Sequence, residues 1–401
     1  SEVKDFAGFS VKPKDNKEEK IDHTDTDVAI IKWLAHNGKL FAKEKITHSY
    51  PHCWRCDTPL LNYATDSWFV KVTDFKDRLV EENKKITWVP RSTGEYRFGN
   101  WLEGAHDWAI SRSRYWGAPL PVWESEDKKE RIVVGGIEDI KPYISQSGNT
   151  YFVMRHGEAD NNVTNINSSS YKDEVHVTEA GKEQVKKAAG VYKTEDFDYI
   201  FASDFVRTKE TAEIFAETIG FPKEKIIYDK RLEEVNVGDF AGKSNDAYHT
   251  YFSSLEEKFT KRPPNGESLT DVKKRVAAFL YEVEEKYKNK KILIVTHEYA
   301  CWMMWTTAFG WSDKASAAEK ATKEEFIKKG ELIELPFVPL PHNEDYELDF
   351  HRPFIDEVVL EKDGKKFTRV KEVFDCWFES GSMPYGEVHY PFEKSHFDPK
   401  K

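Results

Sequence analysis

Short apolar runs alternate with amphipathic stretches between residues 150 and 310, and this alternation predicts the local structure of that part of the chain. The segments predicted as strands are 150–155, 199–202 and 291–296, and those predicted as helices are 179–191, 205–219, 268–288 and 300–309. Strands that alternate with helices are typical of an α/β domain whose sheet is largely parallel. We therefore predict an α/β domain over 149–310.

The pattern changes on both sides of this domain. Before it, a helix is predicted at 27–37, a segment rich in Trp and Tyr covers 49–123, and a strand is predicted at 131–134. After it, a stretch rich in Lys and Glu predicts a helical linker as far as about Gly330. The domains that we predict are therefore 1–48, 49–148, 149–310 and 348–401, with 311–347 as the linker before the last of them.

Composition bounds the class of protein. The chain has 401 residues, of which 33% are charged and 39% apolar, as is typical of soluble globular domains. No apolar run approaches the roughly 18 residues that a membrane-spanning helix needs, so we predict no membrane association. The net charge of −11 argues against a free-standing basic nucleic-acid binder. Because the chain begins at Ser1 without a Met or a signal peptide, we expect a start upstream and a cytoplasmic location.

Three residues suited to phosphate chemistry fall at the ends of predicted strands. His156 and His297 each directly follow a strand, and Arg207 lies in the first turn of the helix after a third strand. Ligands of open α/β sheets bind at the carboxyl ends of the strands, so these side chains can converge. Arg207 also lies where a helix N-terminus favours an anion.

The residue types define the chemistry further. Arg155 and Arg207 can each bind phosphate oxygens bidentately. His156, if neutral, is a competent nucleophile toward phosphorus, and His297 can stabilise charge on the transferring group. Glu234 can protonate the leaving oxygen. The sequence therefore predicts a phosphoryl-transfer site.

This ordered set resembles the histidine phosphatase (phosphoglycerate mutase-like) superfamily over about 149–310. The motifs that carry the resemblance are RHGEADNN, VTEAGKEQ, ASDFVRTKETA, RLEEVNVGDFAG, PNGES and ILIVTHE. The resemblance implies His156 as the nucleophile that accepts the phosphoryl group and Glu234 as the proton donor. The residues assigned to the phosphate pocket are Arg155, Arg207, His297 and Asn162.

Two positions depart from the family pattern. Ala159 stands where Thr is usual, and Glu298 stands where the mutase branch has Gly. A second carboxylate beside the pocket would oppose anion binding unless it is protonated or turned away. Glu298 is also an alternative proton donor, because the acid phosphatase branch has its acid immediately after the second histidine. We favour Glu234, since the other motif spacings follow the mutase branch.

Cys53 and Cys56 form a C-x-x-C pair, the spacing of zinc ligands in a turn. A structural zinc site needs four ligands, and His52 is the near neighbour that could add one. The pair therefore predicts half of a zinc site, and a turn without metal is the alternative.

The segments around the α/β domain resemble isoleucyl-tRNA synthetases, which are class I enzymes, over about 1–135 and 330–395. The motifs are SYPHCWRCDTPLLNYATDSWF, RFGNWLEGAHDWAISRSRYWGAPLPVW, DFHRPFIDEVV and EVFDCWFESGSMPYG. The resemblance implies the tail of the editing and connective region in 1–48 and a return to the nucleotide-binding core in 348–401. It also implies Trp377 as part of the amino-acid pocket. The fold predicted is thus a histidine-phosphatase-like α/β domain inserted into a partial class I synthetase core.

Two ATP-binding motifs of class I synthetases, H-x-G-H and K-M-S-K-S, do not occur in these 401 residues. The resemblance implies that the intact protein ligates isoleucine to tRNA(Ile) with ATP and Mg²⁺, whereas this chain alone would not. The inserted domain would act on an unidentified phosphorylated small molecule and need no cofactor. Two alternatives remain: a phosphatase or mutase with scaffold flanks, and a non-catalytic insert that senses phosphate or RNA.

Overall fold

The computed structural model describes residues 4–9, 23–57, 59–61, 65–168, 174–388 and 390. The chain divides into two units, residues 1–68 and residues 69–401. In the first unit, helix α1 (His23–His36) extends over most of the segment predicted as a helix. The Phe6 ring packs edge-on against Trp33 of α1, with 6.1 Å between ring centroids.

Among the described residues, the second unit contains the other α-helices and the strands. Its helices are α2 (Lys76–Asn83), α3 (Gly99–Glu103), α4 (Ile137–Ile140), α5 (Asp160–Thr164), α6 (Glu179–Ala189), α7 (Val206–Ile219), α8 (Asn245–Thr250), α9 (Glu257–Thr260), α10 (Leu269–Lys286), α11 (Glu298–Phe309), α12 (Asp313–Ala321) and α13 (Cys376–Gly386). Its strands are β1 (Phe69–Val70), β2 (Trp108–Ala109), β3 (Ser111–Arg112), β4 (Val122–Ser125), β5 (Arg131–Val133), β6 (Thr150–Arg155), β7 (Tyr199–Ala202), β8 (Ile227–Tyr228), β9 (Lys291–Thr296), β10 (Leu332–Leu335), β11 (Leu360–Lys362), β12 (Lys365–Arg369) and β13 (Val373–Phe374).

The central sheet has the strand order β10-β6-β9-β7-β8. Strands β6, β9, β7 and β8 run parallel, and β10 pairs antiparallel to β6 at the edge. The prediction of an α/β domain with a largely parallel sheet is confirmed. Strand β10 lies in the segment that we interpreted as a linker, and its pairing makes that segment part of the sheet.

The sheet is covered on both faces, which explains the nearly continuous apolar runs of its strands. Alternate residues of β9 belong to different cores: Ile292 and Ile294 pack in one, and Leu293 and Val295 pack in the other. The first core also includes α10 and α11, and the second includes α6 and α7. This alternation follows from the two-residue period of a strand.

A second sheet joins the segments on either side of the α/β domain. It is antiparallel, in the order β11-β12-β4-β5. Strand β4 precedes the α/β domain in the sequence and pairs with β12, which follows it. Trp123 and Phe367 are each 1% exposed in its core, and the Trp123 indole donates to the Val358 carbonyl at 2.9 Å. The segments that enter and follow the α/β domain therefore belong to the same sheet.

Candidate functional site

Three neighbouring strands of the central sheet deliver polar side chains to one edge. His156 follows β6, His297 follows β9 and Ser203 follows β7. The two imidazole rings meet edge to face with centroids 5.3 Å apart, and both residues are buried. Nε2 of His297 lies 2.9 Å from the Ser203 hydroxyl. The sheet order thus brings together residues that are 141 positions apart in the sequence, from His156 to His297.

The hydrogen bond of the His156 ring determines which of its two nitrogens has a free lone pair for attack on phosphorus. Nδ1 lies 2.7 Å from the Gly157 carbonyl, which can only accept, so Nδ1 carries the proton. Nε2 therefore keeps its lone pair. Burial, followed by the charges of Arg207 and Arg155, holds the pKa of His156 well below its ordinary value. The ring is neutral at physiological pH, as a nucleophile must be.

The backbone around His156 is held by close packing. The Gly157 N–H donates to the Thr211 hydroxyl of α7 at 3.1 Å. A Cβ on Gly157 would lie 2.7 Å from the Gly181 carbonyl oxygen of α6. Only glycine allows this approach of the loop to α6.

Arg207 lies in the first turn of α7 and is 2% exposed. Its guanidinium donates to both the hydroxyl and the carbonyl of Ser168 at 3.3 Å. It also stacks 5.0 Å from the centroid of the Phe205 ring. The guanidinium is thus held at the cavity wall, at the end of a helix that favours anions.

Arg155, the last residue of β6, is held by two carboxylates. Its Nη1 pairs with Glu298 and, at 2.8 Å, with Glu325, and it donates to the Ile327 carbonyl at 2.9 Å. Its Nε is buried and has no hydrogen-bond partner among the described residues. One donor of this guanidinium therefore remains for a bound anion.

Glu234 lies beside the N-terminus of α11. Its Oε1 accepts from the Val235 N–H at 2.9 Å and from the Tyr299 N–H at 3.3 Å. Burial raises the pKa of Glu234, although the Val235 N–H and the charges of Arg207 and Arg155 oppose the rise. A carboxyl group whose pKa is raised can hold a proton near neutral pH, as a general acid must.

Glu298 has a different environment. Besides pairing with Arg155, its Oε1 lies 3.4 Å from Lys320 Nζ and accepts from the Phe326 N–H at 2.9 Å. Two cations and a backbone donor therefore surround this carboxylate. Its side chain therefore links Arg155 to Lys320 and to the segment around Phe326.

The predicted residues around the phosphate site line one cavity of about 450 Å³. Those that line it are His156, Arg155, Arg207, Asn162, Glu234 and Glu298. The Asn162 side-chain oxygen accepts from the Ala159 N–H at 3.0 Å and so caps α5. His297 is 0% exposed, and its ring packs against that of His156.

Arg275 is a site residue that the motifs did not reveal. It extends from α10 and donates to the carbonyls of Arg231, Glu233 and Glu234 at 2.7–3.0 Å. Its guanidinium also pairs with Glu267 at 3.1 Å. Arg275 thereby holds the loop that carries Glu234. Glu267 in the PNGES motif was the available signal, because a half-buried carboxylate is usually paired with a cation.

The predicted metal and amino-acid residues lie outside this cavity. Cys53 is half-buried and Cys56 is exposed, and the Asp57 N–H closes their turn on the Cys53 carbonyl at 2.8 Å. The ring of His52 faces the Tyr50 carbonyl. Within the described ranges, no group of three or more His, Cys, Asp or Glu side chains could hold a metal ion. These residues do not form a closed zinc site by themselves.

We therefore expect the isolated chain to bind zinc only weakly. Two thiolates fill half of a tetrahedral site, so a chelator should remove the metal readily. Equilibrium dialysis with and without chelator measures this, and Cys53→Ser serves as the control that removes one thiolate. Stoichiometric zinc that survives the chelator in the unchanged chain would contradict the expectation.

Trp377 lies in the first turn of α13 and is 74% exposed. Its N–H donates to Asp375, which caps the helix and pairs with Arg112 at 2.6 Å. Its part in an amino-acid pocket stays a prediction. Over the residues described, no helix has the length and apolar character that crossing a membrane requires.

Comparisons with known proteins match both parts of the chain. The family model "Histidine phosphatase superfamily (branch 1)" matches residues 151–321. The family model "tRNA synthetases class I (I, L, M and V)" matches residues 5–208 and 268–400, which is most of the chain.

Curated relatives include the isoleucine–tRNA ligases of Cytophaga hutchinsonii and Treponema denticola. The first is 48% identical over 156 residues, which are 36% of this chain and 14% of that protein. The second is 50% identical over 140 residues, which are 35% of this chain and 12% of that protein. The chain thus matches only a small part of the length of these relatives.

Solved structures similar to this chain include a mycobacterial glucosyl-3-phosphoglycerate phosphatase bound to VO3. It is 20% identical and covers 47% of this chain and 92% of its own, with a TM-score of 0.40. YhfR of Bacillus stearothermophilus is 21% identical and covers 46% of this chain and 90% of its own, also with a TM-score of 0.40. On the family matches, the chain belongs to the class I tRNA synthetases of the I, L, M and V group, is similar to isoleucine–tRNA ligases, and carries a histidine phosphatase domain.

Proposed function

We propose that the histidine phosphatase domain hydrolyses small phosphomonoesters through a phosphohistidine at His156. One observation carries this proposal: His156 is neutral, and its Nδ1 is held by the Gly157 carbonyl so that Nε2 keeps its lone pair. Arg155 and Arg207 line the same cavity and supply positive charge for the phosphoryl oxygens.

In the first step, Nε2 of His156 attacks phosphorus and the bond from phosphorus to the ester oxygen breaks. The ester oxygen leaves with the proton of Glu234, so the alcohol departs neutral. The negative charge that spreads over the phosphoryl oxygens faces Arg155 and Arg207. The products of this step are the free alcohol, the Glu234 carboxylate and phospho-His156.

In the second step, a water molecule attacks the phosphohistidine. The Glu234 carboxylate takes a proton from the water as its oxygen bonds to phosphorus, and the nitrogen–phosphorus bond breaks. Inorganic phosphate leaves, His156 is again neutral and Glu234 is again protonated. Each group therefore returns to its starting state.

The test combines turnover with trapping of the intermediate. The purified chain should hydrolyse para-nitrophenyl phosphate, and a rapid quench should yield an acid-labile phosphoenzyme. A non-catalytic sensor would bind phosphate or vanadate without turnover. Binding without turnover over a broad panel of monoesters would therefore favour the sensor and overturn this proposal.

We also propose that the intact protein ligates isoleucine to tRNA(Ile) with ATP and Mg²⁺. The similarity to isoleucine–tRNA ligases supports this activity, and the absence of H-x-G-H and K-M-S-K-S from this sequence limits it to the longer protein. ATP cannot be positioned for attack without the residues that hold it.

The chain alone should therefore form no isoleucyl-adenylate. Isoleucine-dependent exchange of labelled pyrophosphate into ATP is the measurement, with an intact isoleucine–tRNA ligase as the positive control. We expect no exchange above a no-enzyme blank. Clear exchange by the purified chain would contradict the expectation.

A further inference from the structure

The cavity is larger than a phosphoryl group. Its volume is about 450 Å³, and one water molecule takes about 30 Å³ of liquid. A phosphoryl group is only a few times larger than water, so most of the cavity is left for the group esterified to it. The walls of that remaining space therefore determine which alcohol fits.

Two loops that form this wall, 165–167 and 242–245, are hydrogen-bonded to each other. The Asn167 N–H donates to the Lys243 carbonyl at 2.8 Å, and the Gly242 N–H donates to the Asn167 carbonyl at 2.9 Å. The Asn245 side-chain amide donates to the Asn165 side-chain oxygen at 2.9 Å. The wall is therefore organised before a ligand arrives.

The lining of this wall is polar and rich in amides. The asparagines that line the cavity are Asn161, Asn162, Asn165, Asn167 and Asn245. The Asn161 side-chain oxygen is buried and has no hydrogen-bond partner among the described residues. A buried acceptor without a partner costs free energy, which a ligand donor at that position would recover. Amides both donate and accept, as hydroxyl groups do.

The charges near the wall disfavour a second anion on the substrate. The acidic residues Asp246 and Glu324 line the cavity, whereas Glu325, which also lines it, is paired with Arg155 and Lys329. Lys320 also lines it, but its Nζ donates to the Glu324 carbonyl at 2.8 Å and lies 3.4 Å from Glu298. A carboxylate or second phosphate on the alcohol would therefore face like charges and a cation that is already engaged.

His249 adds a hydrogen-bond donor at the rim. Its Nδ1 lies 3.0 Å from Nζ of the buried Lys258, which also donates to the Tyr299 hydroxyl at 2.9 Å. Burial lowers the pKa of Lys258 to about 7, and in either charge state its Nζ can donate to Nδ1, which places the proton of the neutral imidazole on Nε2. The rings of Tyr248, Phe252 and Tyr299 lie 4.8–5.2 Å from Nζ and hold it beside His249. Lys258 thus acts as a positioning residue for His249.

We propose that the alcohol part of the substrate is an uncharged, hydroxyl-rich group of sugar size, bound by His249 and by the asparagine-lined wall. This inference rests on the proposed phosphatase activity and adds the class of substrate. The Asn161 oxygen, which has no partner among the described residues, can accept from a hydroxyl group, and the Nε2–H of His249 can donate to one, whereas Asp246 and Glu324 would repel a second anion.

The test compares two sets of monoesters with the purified chain. Ribose 5-phosphate and glucose 6-phosphate represent neutral polyols, and 3-phosphoglycerate and fructose 1,6-bisphosphate carry a second anion. We expect kcat/KM to be at least about tenfold higher for the neutral set, since one ordinary hydrogen bond or one like-charge contact has about that effect. Equal or higher kcat/KM for the second set, with para-nitrophenyl phosphate hydrolysed, overturns the substrate class alone. No turnover of any ester overturns the phosphatase activity and this inference with it.

Variants of His249 test its part in the wall. His249→Leu should raise KM for the neutral polyol esters about tenfold more than it raises KM for para-nitrophenyl phosphate. His249→Gln keeps an N–H donor and should recover part of the loss, which a merely structural role would not predict. His351→Leu, a change at an exposed histidine paired with Asp349, is the matched control. Equal effects of His249→Leu on all esters would overturn the role of His249.

Discussion

Replacing His156 by alanine should lower phosphomonoester turnover by about 10⁴-fold or more, because the nucleophile that divides the reaction into two steps is lost. The effect should be on kcat, since Arg155 and Arg207 still bind the phosphoryl group. The phosphoenzyme detected after a rapid quench should disappear in the same variant. Steady-state kinetics with para-nitrophenyl phosphate and the quench together measure both effects.

His351→Ala is the matched control for this change. His351 is an exposed histidine whose ring pairs with Asp349 at 2.8 Å, so its loss should leave turnover within about twofold. Thermal melts of both variants exclude unfolding as the cause. If His156→Ala keeps more than about a tenth of the activity, His156 is not the nucleophile.

Glu234→Gln should slow hydrolysis of an alkyl phosphate by about 10²- to 10³-fold, as loss of a general acid does. An alkoxide is a poor leaving group and needs the proton, whereas a nitrophenolate leaves almost without it. The variant should therefore slow para-nitrophenyl phosphate by less than about tenfold. The ratio of the two losses is the measurement.

Glu298→Gln is the control for the choice of proton donor. Glu298 pairs with Arg155 and Lys320, so its replacement should weaken the hold on Arg155 and affect both esters alike. A selective loss with the alkyl ester in Glu298→Gln, but not in Glu234→Gln, would reverse the assignment.

The dependence on pH follows from the same groups. Glu234 must be protonated, and burial raises its pKa, so alkyl phosphate turnover should fall as pH rises through that raised value. His156 must be neutral, and burial with the two arginines lowers its pKa, so acid should not protonate it until well below its ordinary range. The alkaline fall should be weaker with para-nitrophenyl phosphate and absent from Glu234→Gln.

The sequence alone determined the elements that carry the site. The predicted strands 199–202 and 291–296 match β7 and β9, and the helix after each begins within two residues of its predicted start. Local periodicity decides such elements, because a strand repeats every two residues and a helix every 3.6. The order of motifs then indicated that His156, Arg207 and His297 meet at one sheet edge.

Only the tertiary structure shows how the surroundings of the Glu234 and Glu298 carboxylates differ. Glu298 follows His297 directly, yet its partners Lys320 and Phe326 come from a segment that we interpreted as a linker. That segment returns through β10 to pair with β6, and so it reaches the cavity. Spacing along the chain could not distinguish Glu298 from Glu234, because their environments depend on contacts between distant segments.

The same reason applies to Arg275, Lys258 and His249. No motif marks them, and each acquires a role only through a partner far away or on another element: Arg275 through the Glu234 loop, and Lys258 through Tyr299. The pairing of β4 with β12, which returns the chain to the synthetase segment, is likewise a long-range contact. Periodicity determines which residues lie on one face of an element, whereas the packing of elements determines which faces meet.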